Sequence, residues 1–222
     1  MDIFIKMFRK QSNFKAGGLI PSRLSNVMGA MKTPSDFMAP RKLDFRDMCI
    51  QTSNQGKTPH CAGYATAGYI EVLNWQINHY PKQIDGDAIY AEAKKIDGDN
   101  GDGTTLDAAI TAALNMKLIK GKPKYINNVI DEVKFAIHQH ITCIGGFMIT
   151  NEWNMVGSDG VVPALNKPRD IGGHAVLICG YDPDYAYIQN SWGTAWGKYG
   201  FCKLSWAQFS NEFMNGVVVN NV

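Results

Sequence analysis

The chain has 222 residues, of which 45% are hydrophobic, enough for one sizeable core or two small lobes that share an interface. Its formal net charge is only +2, with 22 basic and 20 acidic residues, and this balance argues against binding to nucleic acid or to an anionic membrane surface. The apolar run within residues 1–10 is too short for a secretory signal and is broken by Lys6, and no later segment approaches a membrane span. We therefore expect a soluble, globular protein with no nucleic-acid or membrane partner.

The cysteines do not follow a disulfide pattern. Their number is odd and their spacing is not that of a framework, so at least one is free: Cys49, Cys61, Cys143, Cys179 and Cys202. The rest fit a reducing compartment as well as any other. No CxxC motif or Cys/His zinc cluster occurs, and we expect no metal and no cofactor.

Residues 1–40 differ in composition from the rest of the chain. They contain two adjacent glycines, Gly17 and Gly18, three prolines and no sustained hydrophobic period. The composition predicts an N-terminal extension, for which a flexible terminus is the simplest interpretation. We expect regular structure from about residue 41 onward.

Cys61 lies where a loop turns into an apolar helix. The helix is predicted to run to about His79, because apolar residues recur at helical spacing until Pro81. A thiol at the start of a helix faces unpaired backbone N–H groups and the positive end of the helix dipole, which favour the thiolate. A buried structural cysteine is the alternative, since that is the usual fate of a free cysteine.

Three shorter helical patterns follow, over residues 88–94, 105–114 and 127–140. Between the first two lies an acidic, glycine-rich loop, residues 97–103, which invites a calcium-binding interpretation. An EF-hand that starts at Asp97 would place Gly101, Asp102 and Ala108 where oxygen ligands or the invariant glycine are needed. The motif fails, so we assign this loop to turn chemistry.

After about residue 141 the periodicity changes from helical to strand-like. Strands are predicted over residues 141–149, 174–180, 185–190, 200–204 and 217–219, with a long loop over residues 150–173. A helical front half followed by a strand-rich back half suggests two lobes, a helical lobe over about 50–122 and a β lobe over about 123–222.

His174 and Asn190 are predicted to face each other. Each lies eight residues from Asp182, in a turn that would join two neighbouring strands into a hairpin. A histidine oriented by an amide and held against a cysteine from another lobe is the arrangement that a thiol nucleophile requires. Trp192 follows closely and would shield the His–Asn hydrogen bond from water.

At this point the residues resemble a known family, the papain-like cysteine peptidases. The resemblance is carried by Gln55-Gly56, by Cys61 six residues after Gln55, by His174-Ala175-Val176 with Gly180-Tyr181, and by Asn190-Ser191-Trp192-Gly193-Thr194-Ala195-Trp196-Gly197. These motifs occur in the family's order and run from about Leu43 to Val222. The last of them is highly specific.

The resemblance implies an α+β fold of two lobes, with a long central helix in the helical lobe and an antiparallel, barrel-like β lobe. It places the active site in the cleft between the lobes. By residue match, Cys61 would be the nucleophile, His174 the general acid/base and Asn190 the residue that orients His174. Gln55, together with the backbone N–H of Cys61, would form the oxyanion hole.

The resemblance also implies substrate-binding positions: Asp102, Gly103, Gly173, Trp192 and Trp196. The first two align with a glycine pair whose backbone pairs with an extended substrate. The implied partner is a peptide or protein substrate, and we expect a monomer.

Three residues near Cys61 depart from the commonest family pattern. Thr58 stands where many members have a cysteine bonded to another in the helical lobe, and this absence favours a cytoplasmic location over an exported one. His60 and Ala62 replace the usual Ser and Trp, and we keep His60 only as a modulator of the thiolate pKa. The run from Cys61 to Ala65 resembles a prokaryotic or viral branch of the family.

The extension suggests a regulatory hypothesis. A segment over roughly Ser12 to Thr33 would lie across the cleft and restrain activity, as short prosegments do in some bacterial relatives, with Gly17 and Gly18 passing close to Cys61. The leading function is that of a cysteine endopeptidase. The alternatives are a non-catalytic peptide-binding or regulatory homologue, and an acyltransferase or amidase that uses the same triad.

Overall fold

A computed structural model describes residues 17–21, 29–49, 52–80, 82–164 and 169–220. Over these ranges the chain forms five α-helices: α1 (Cys61–Asn78), α2 (Gly86–Asp97), α3 (Leu106–Asn115), α4 (Ile130–His140) and α5 (Trp206–Glu212). Two 3₁₀ helices cover Arg46–Met48 and Asn151–Met155. The second of these, together with the start of a strand at Asp170, replaces much of the loop predicted over residues 150–173.

Eight strands form one sheet: β1 (Gly29–Ala30), β2 (Leu43–Asp44), β3 (Lys122–Ile126), β4 (Cys143–Thr150), β5 (Asp170–Tyr181), β6 (Tyr185–Gln189), β7 (Phe201–Ser205) and β8 (Phe213–Asn220). Their order is β1-β3-β8-β4-β5-β6-β7, and β2 pairs with β5. All pairings are antiparallel except that of β1 with β3.

The predicted α+β class and the long central helix are confirmed, but the sheet is not closed into a barrel. The two end strands, β1 and β7, do not pair within the described ranges. The outer edge of β7 is covered by a loop instead, because Val162 N–H donates to the Lys203 carbonyl (3.0 Å) and Lys203 N–H donates to the Gly160 carbonyl (2.7 Å). A covered edge does not need to close on another strand.

Strand β5 lies between two hydrophobic cores, and its side chains point alternately into one and the other. Ala175, Leu177 and Cys179 face the core that contains the central helix α1. Val176 and Ile178 face a second, aromatic core on the other side of the sheet. Because successive strand residues point to opposite faces, one strand contributes to both cores. Among the described ranges, no helix is both long and apolar enough to cross a bilayer.

Helices α1 and α2 approach to backbone contact where two glycines meet. A Cβ atom added at Gly63 would overlap the carbonyl oxygen of Gly86, and one added at Gly86 would lie 2.9 Å from Cγ of Tyr64. Helix α1 is buried over its first turns by α2 on one side and by β5 on the other. The helix that begins at Cys61 is therefore fixed on both sides.

We expect Gly63→Ala to lower the free energy of unfolding by about 1–3 kcal/mol, because the methyl group forces α1 and α2 apart. Gly68→Ala on the same helix is the matched control. Its Cβ would make ordinary contacts, 3.6 Å from Gln189 and 3.7 Å from Leu177, and alanine favours a helix over glycine by about 1 kcal/mol. Urea denaturation measures both changes, and equal effects at the two positions would contradict the close approach.

Candidate active site

Cys61 is the first residue of α1 and is fully buried. Backbone N–H groups of Ala175, Ala62 and Cys61 itself face its sulfur and favour the thiolate. Burial outweighs these groups and raises the pKa of the Cys61 thiol to about 11. The sulfur therefore contacts the backbone of the residue that follows the predicted histidine in β5.

His174 and Asn190 are in contact, but they do not lie directly opposite each other as predicted, because β5 pairs with β6 in a register that sets Gln189 opposite Leu177. The His174 Nε2 and Asn190 Oδ1 atoms are 2.7 Å apart, and the same oxygen accepts the Ser191 backbone N–H at 2.8 Å. A backbone N–H only donates, so the atom that it meets must be the amide oxygen, and Nε2 of His174 must carry a proton to donate to that oxygen. In the neutral imidazole the lone pair is therefore on Nδ1.

The Nδ1 atom of His174 is buried and has no hydrogen-bond partner in the described part of the chain. Burial of the ring lowers the pKa of His174 to about 4, although the hydrogen bond with Asn190 acts in the opposite direction. Cys61 and His174 are thus both neutral near pH 7 in this state of the molecule.

Two tryptophans contact the His174 ring, and a third packs on both of them. The ring centroid of Trp192 lies 4.9 Å from that of His174, and Trp153 meets the histidine edge-on at 6.3 Å. Trp196 packs on both and donates its Nε1–H to the Trp153 carbonyl (2.9 Å). The predicted substrate contacts of Trp192 and Trp196 stay predictions, since both rings are almost wholly buried against these neighbours. Sequence reasoning missed Trp153, which lies in the 3₁₀ helix Asn151–Met155 where a loop was predicted.

Gln55 is buried and its side-chain amide is fixed in one orientation. Its Oε1 accepts the Ser191 hydroxyl at 2.6 Å, and its Nε2 donates to the Thr58 carbonyl at 2.8 Å. Ser191 follows Asn190 directly, so this hydrogen bond connects the loop of Gln55 to the segment that carries Asn190. The specific motif contained Ser191, but nothing in the pattern indicated this contact.

Residues 17–21, one of the two described parts of the predicted segment, lie along the chain that leads into α3. Ile20 N–H donates to the Thr104 carbonyl (2.9 Å), and Thr104 N–H donates to the Gly18 carbonyl (3.0 Å). A Cβ at Gly18 would overlap the carbonyl oxygen of Pro59, two residues before Cys61. The segment therefore passes directly over the loop that presents Cys61.

The same segment also contacts the strand wall. The N–H groups of Gly17 and Leu19 both donate to the Gly173 carbonyl, at 2.9 and 3.1 Å. The Leu19 side chain is buried, and a Cβ at Gly146 would lie 2.9 Å from its Cδ2 atom. Gly173 and Gly103 leave room for this main chain, because a Cβ at either would overlap it.

Thr104, next to the predicted substrate-binding positions, makes the main-chain hydrogen bonds to the segment, and Asp102 is exposed. The predicted substrate contacts of Asp102 and Gly103 stay predictions. The rest of the predicted segment, residues 12–16 and 22–28, lies outside the described residues. The sequence did not indicate Thr104, because its main-chain partners are more than 80 residues away in the chain.

The acidic loop over residues 97–103 forms turns. The carboxylate of Asp97 accepts the Thr104 hydroxyl, the Asp99 backbone N–H and the Lys94 ammonium, which hold its pKa below the usual range although burial acts in the opposite direction. Within the described ranges, no group of three or more His, Cys, Asp or Glu side chains is arranged to hold a metal ion.

We expect His174 to stay neutral from pH 8 down to about pH 5, as the Nε2–H tautomer, because burial opposes its protonation until the pH falls through its lowered pKa. Nitrogen-15 NMR of histidine-labelled protein reports charge and tautomer directly, with the His174 signal assigned by its loss in His174→Gln. An imidazolium signal from His174 at pH 6–7 in the intact chain would contradict the buried, neutral pair.

Comparison with known proteins matches part of the chain to one family. Residues 116–217 match the papain family cysteine protease model. Papain from Carica papaya is 52% identical over 31 residues, which span 14% of this chain and only 9% of the length of that curated relative. All five cysteines are free, including Cys61.

Solved structures show the same fold. Xylellain, a cysteine protease from Xylella fastidiosa, superposes with a TM-score of 0.78 at 20% identity, covering 96% of this chain and 98% of that one. Procathepsin L2 from the larval midgut of Tenebrio molitor gives 0.75 at 18% identity, covering 100% and 83%. The prokaryotic-type branch expected from the residues after Cys61 fits the match to xylellain. The family match over residues 116–217 and the shared fold together make the chain similar to papain-like cysteine proteases.

Proposed function

We propose that this chain is a cysteine endopeptidase that cleaves peptide or protein substrates through a thioester at Cys61. The observation that carries the proposal is the state of His174: its Nε2 is engaged by Asn190, and its Nδ1 is left without a partner. The next residue, Ala175, has its backbone N–H on the Cys61 sulfur. A histidine with one nitrogen held by an amide and the other available as a base, next in the chain to a residue that contacts a cysteine, fits the arrangement that activates a thiol.

In the proposed reaction, Nδ1 of His174 takes the thiol proton, and the Cys61 sulfur attacks the scissile carbonyl carbon. The tetrahedral intermediate collapses, the C–N bond breaks, and the imidazolium gives its proton to the leaving amine. Water then attacks the thioester with His174 as general base, which releases the carboxylic acid and restores the thiol. Asn190 keeps the ring in the tautomer that each step needs.

The oxyanion of the intermediate would be held by Gln55 Nε2 and by the backbone N–H of Cys61. Ser191 supports this assignment, because it binds Oε1 of Gln55 and so fixes which end of the amide faces outward as a donor. A donor fixed before the reaction stabilises developing charge without reorganising at the transition state.

We further propose that residues 17–20 act as an autoinhibitory segment. They bind both walls of the cleft by main-chain hydrogen bonds, as an extended substrate would, and they cover the loop before Cys61. The burial that makes Cys61 and His174 neutral is consistent with a resting state, since displacement of the segment would return water to both groups and favour the ion pair.

We also propose that the chain consists of an N-terminal extension over residues 1–40 and a peptidase domain over residues 41–222. The protein would be a monomer in the cytoplasm. The free state of all five cysteines supports a reducing compartment. Acyl transfer to an amine, instead of to water, would appear as transpeptidation products when the protein is incubated with peptides and an amine acceptor.

Gly18→Val is expected to raise peptide cleavage by the full chain at least about tenfold, because the added side chain overlaps Pro59 and each ~1.4 kcal/mol of lost docking is a factor of ten. Gly29→Val is the control in the same extension, where only the flexible end of Lys124 lies near. A mixed peptide library analysed by mass spectrometry gives the rates. Shortening the chain to start near Lys42 tests the same idea, but it also removes β1. Equal rates for wild type and Gly18→Val would leave the segment as an ordinary terminus.

In the Gly18→Val chain, Gln55→Ala is expected to lower kcat about 10²–10³-fold, the usual effect of losing one oxyanion donor. Cys61→Ala should abolish turnover. Gln76→Ala, an exposed position on α1, should leave kcat unchanged. Cleavage that survives Cys61→Ala, or the absence of cleavage with the segment displaced, would favour the alternative of a non-catalytic peptide-binding homologue.

A further inference from the structure

His60 precedes the proposed nucleophile but does not cap the helix that it introduces. It occupies the N-cap position of α1, and its side chain makes no hydrogen bond to the helix N–H groups. Instead its Nδ1 lies 2.7 Å from Asp87 Oδ1, and its ring stacks on Tyr90 at 3.7 Å between centroids, with 24° between the planes. The His60 ring therefore connects α1 to α2.

The contact is rigid because it adjoins the closest approach of the two helices. Gly63 and Gly86 bring the backbones together within one turn of His60 and Asp87. The second carboxylate oxygen of Asp87 accepts the Tyr64 hydroxyl at 3.1 Å, so Asp87 is bound from two positions on α1. We call His60, Tyr64, Asp87 and Tyr90 the His60 cluster.

Tyr90 extends the cluster to the wall of the cleft. Its hydroxyl oxygen accepts the Gly103 backbone N–H at 3.2 Å. Gly103 has a positive φ of 89°, and the next residue, Thr104, makes the main-chain hydrogen bonds with residues 18 and 20. A continuous set of contacts thus runs from the residue before Cys61 to the residue that pairs with an extended chain.

We infer that His60 and Tyr90 are positioning residues that fix the distance between the Cys61 thiol and the pairing edge at Gly103–Thr104. This inference rests on the proposed function, because it concerns the same cleft. The Cys61 loop and the pairing edge belong to different segments, and an error of about 1 Å between them would misplace a peptide carbonyl relative to the sulfur. The stack and the Gly103 hydrogen bond supply a non-covalent link between these two segments.

The variant pair Tyr90→Phe and Tyr64→Phe separates this role from simple helix packing. Each removes one hydroxyl from the His60 cluster, but only Tyr90→Phe removes the acceptor for Gly103 N–H while it keeps the ring stacked on His60. His60→Ser removes the stack, and His60→Phe restores a flat ring without the bond to Asp87. We expect amide exchange at the pairing edge to increase most in His60→Ser and less in His60→Phe. Tyr64→Phe should stay close to wild type.

Amide hydrogen exchange in the otherwise wild-type full chain tests the inference without requiring catalysis. Tyr90→Phe should speed the exchange of Thr104 and Ile20 about 2- to 10-fold, the effect of one net hydrogen bond. Amides of β5 should not change, which excludes general destabilisation. Unchanged exchange at Thr104 and Ile20, or an equal effect in Tyr64→Phe, would overturn the inference.

Kinetics then separate the inference from the proposed function. In the Gly18→Val chain, Tyr90→Phe should lower kcat/KM for peptides about 2- to 10-fold, yet leave alkylation of Cys61 by iodoacetamide within about twofold, since that reagent does not need the pairing edge. Alkylation that falls in parallel with cleavage would overturn the inference. Faster exchange together with no peptide cleavage by any variant would retain the inference and reject the proposed function alone.

Discussion

The packing of the first turn of α1 against strand β5 is the contact on which the rest of the site depends. It brings the Cys61 sulfur to the backbone N–H of Ala175, one residue after His174. The alternation of β5 turns Ala175 toward the helices and leaves His174 among tryptophans on the other side. Cys61 thus belongs to the core on one side of β5, and His174 contacts tryptophans of the core on the other side.

Desolvation decides the electrostatic state of that pair. In water a thiol near an imidazole gains from forming an ion pair, but burial penalises both charges and here prevails over the hydrogen bonds that favour them. We propose that the chain's own segment 17–20, which is hydrogen-bonded to Gly173 and Thr104, helps to exclude water from the pair. Occupancy of the cleft and the charge state of the site are thus physically linked.

Much of the site was predictable because it depends on local spacing. The predicted hairpin brought His174 near Asn190, although its register was wrong by two residues, and the loop-to-helix transition predicted Cys61 at the start of α1. Helix α1 itself followed from its apolar period and from the stop at Pro81. These features need only the periodicity of one segment and the chemistry of its ends.

What could not be predicted depends on contacts between distant segments. Trp153, Ser191 and Thr104 act through partners many residues away, and no local period marks them. The open sheet could not be predicted for the same reason. The loop at residues 160–162 covers the edge of β7, but its sequence has no strand-like pattern. Helix α5 is only seven residues long and directly joins two strands, so its helical period is too short to detect.

The most direct test of the account is the site and rate of labelling by a thiol-directed peptidyl epoxide, located by mass spectrometry in the intact chain and in Gly18→Val. The account predicts one adduct, on Cys61, which forms slowly in the intact chain and much faster in Gly18→Val. The other four cysteines, which are buried away from the cleft, should stay unlabelled. Equal labelling rates in the two chains, or an adduct on any other cysteine in place of Cys61, would contradict it.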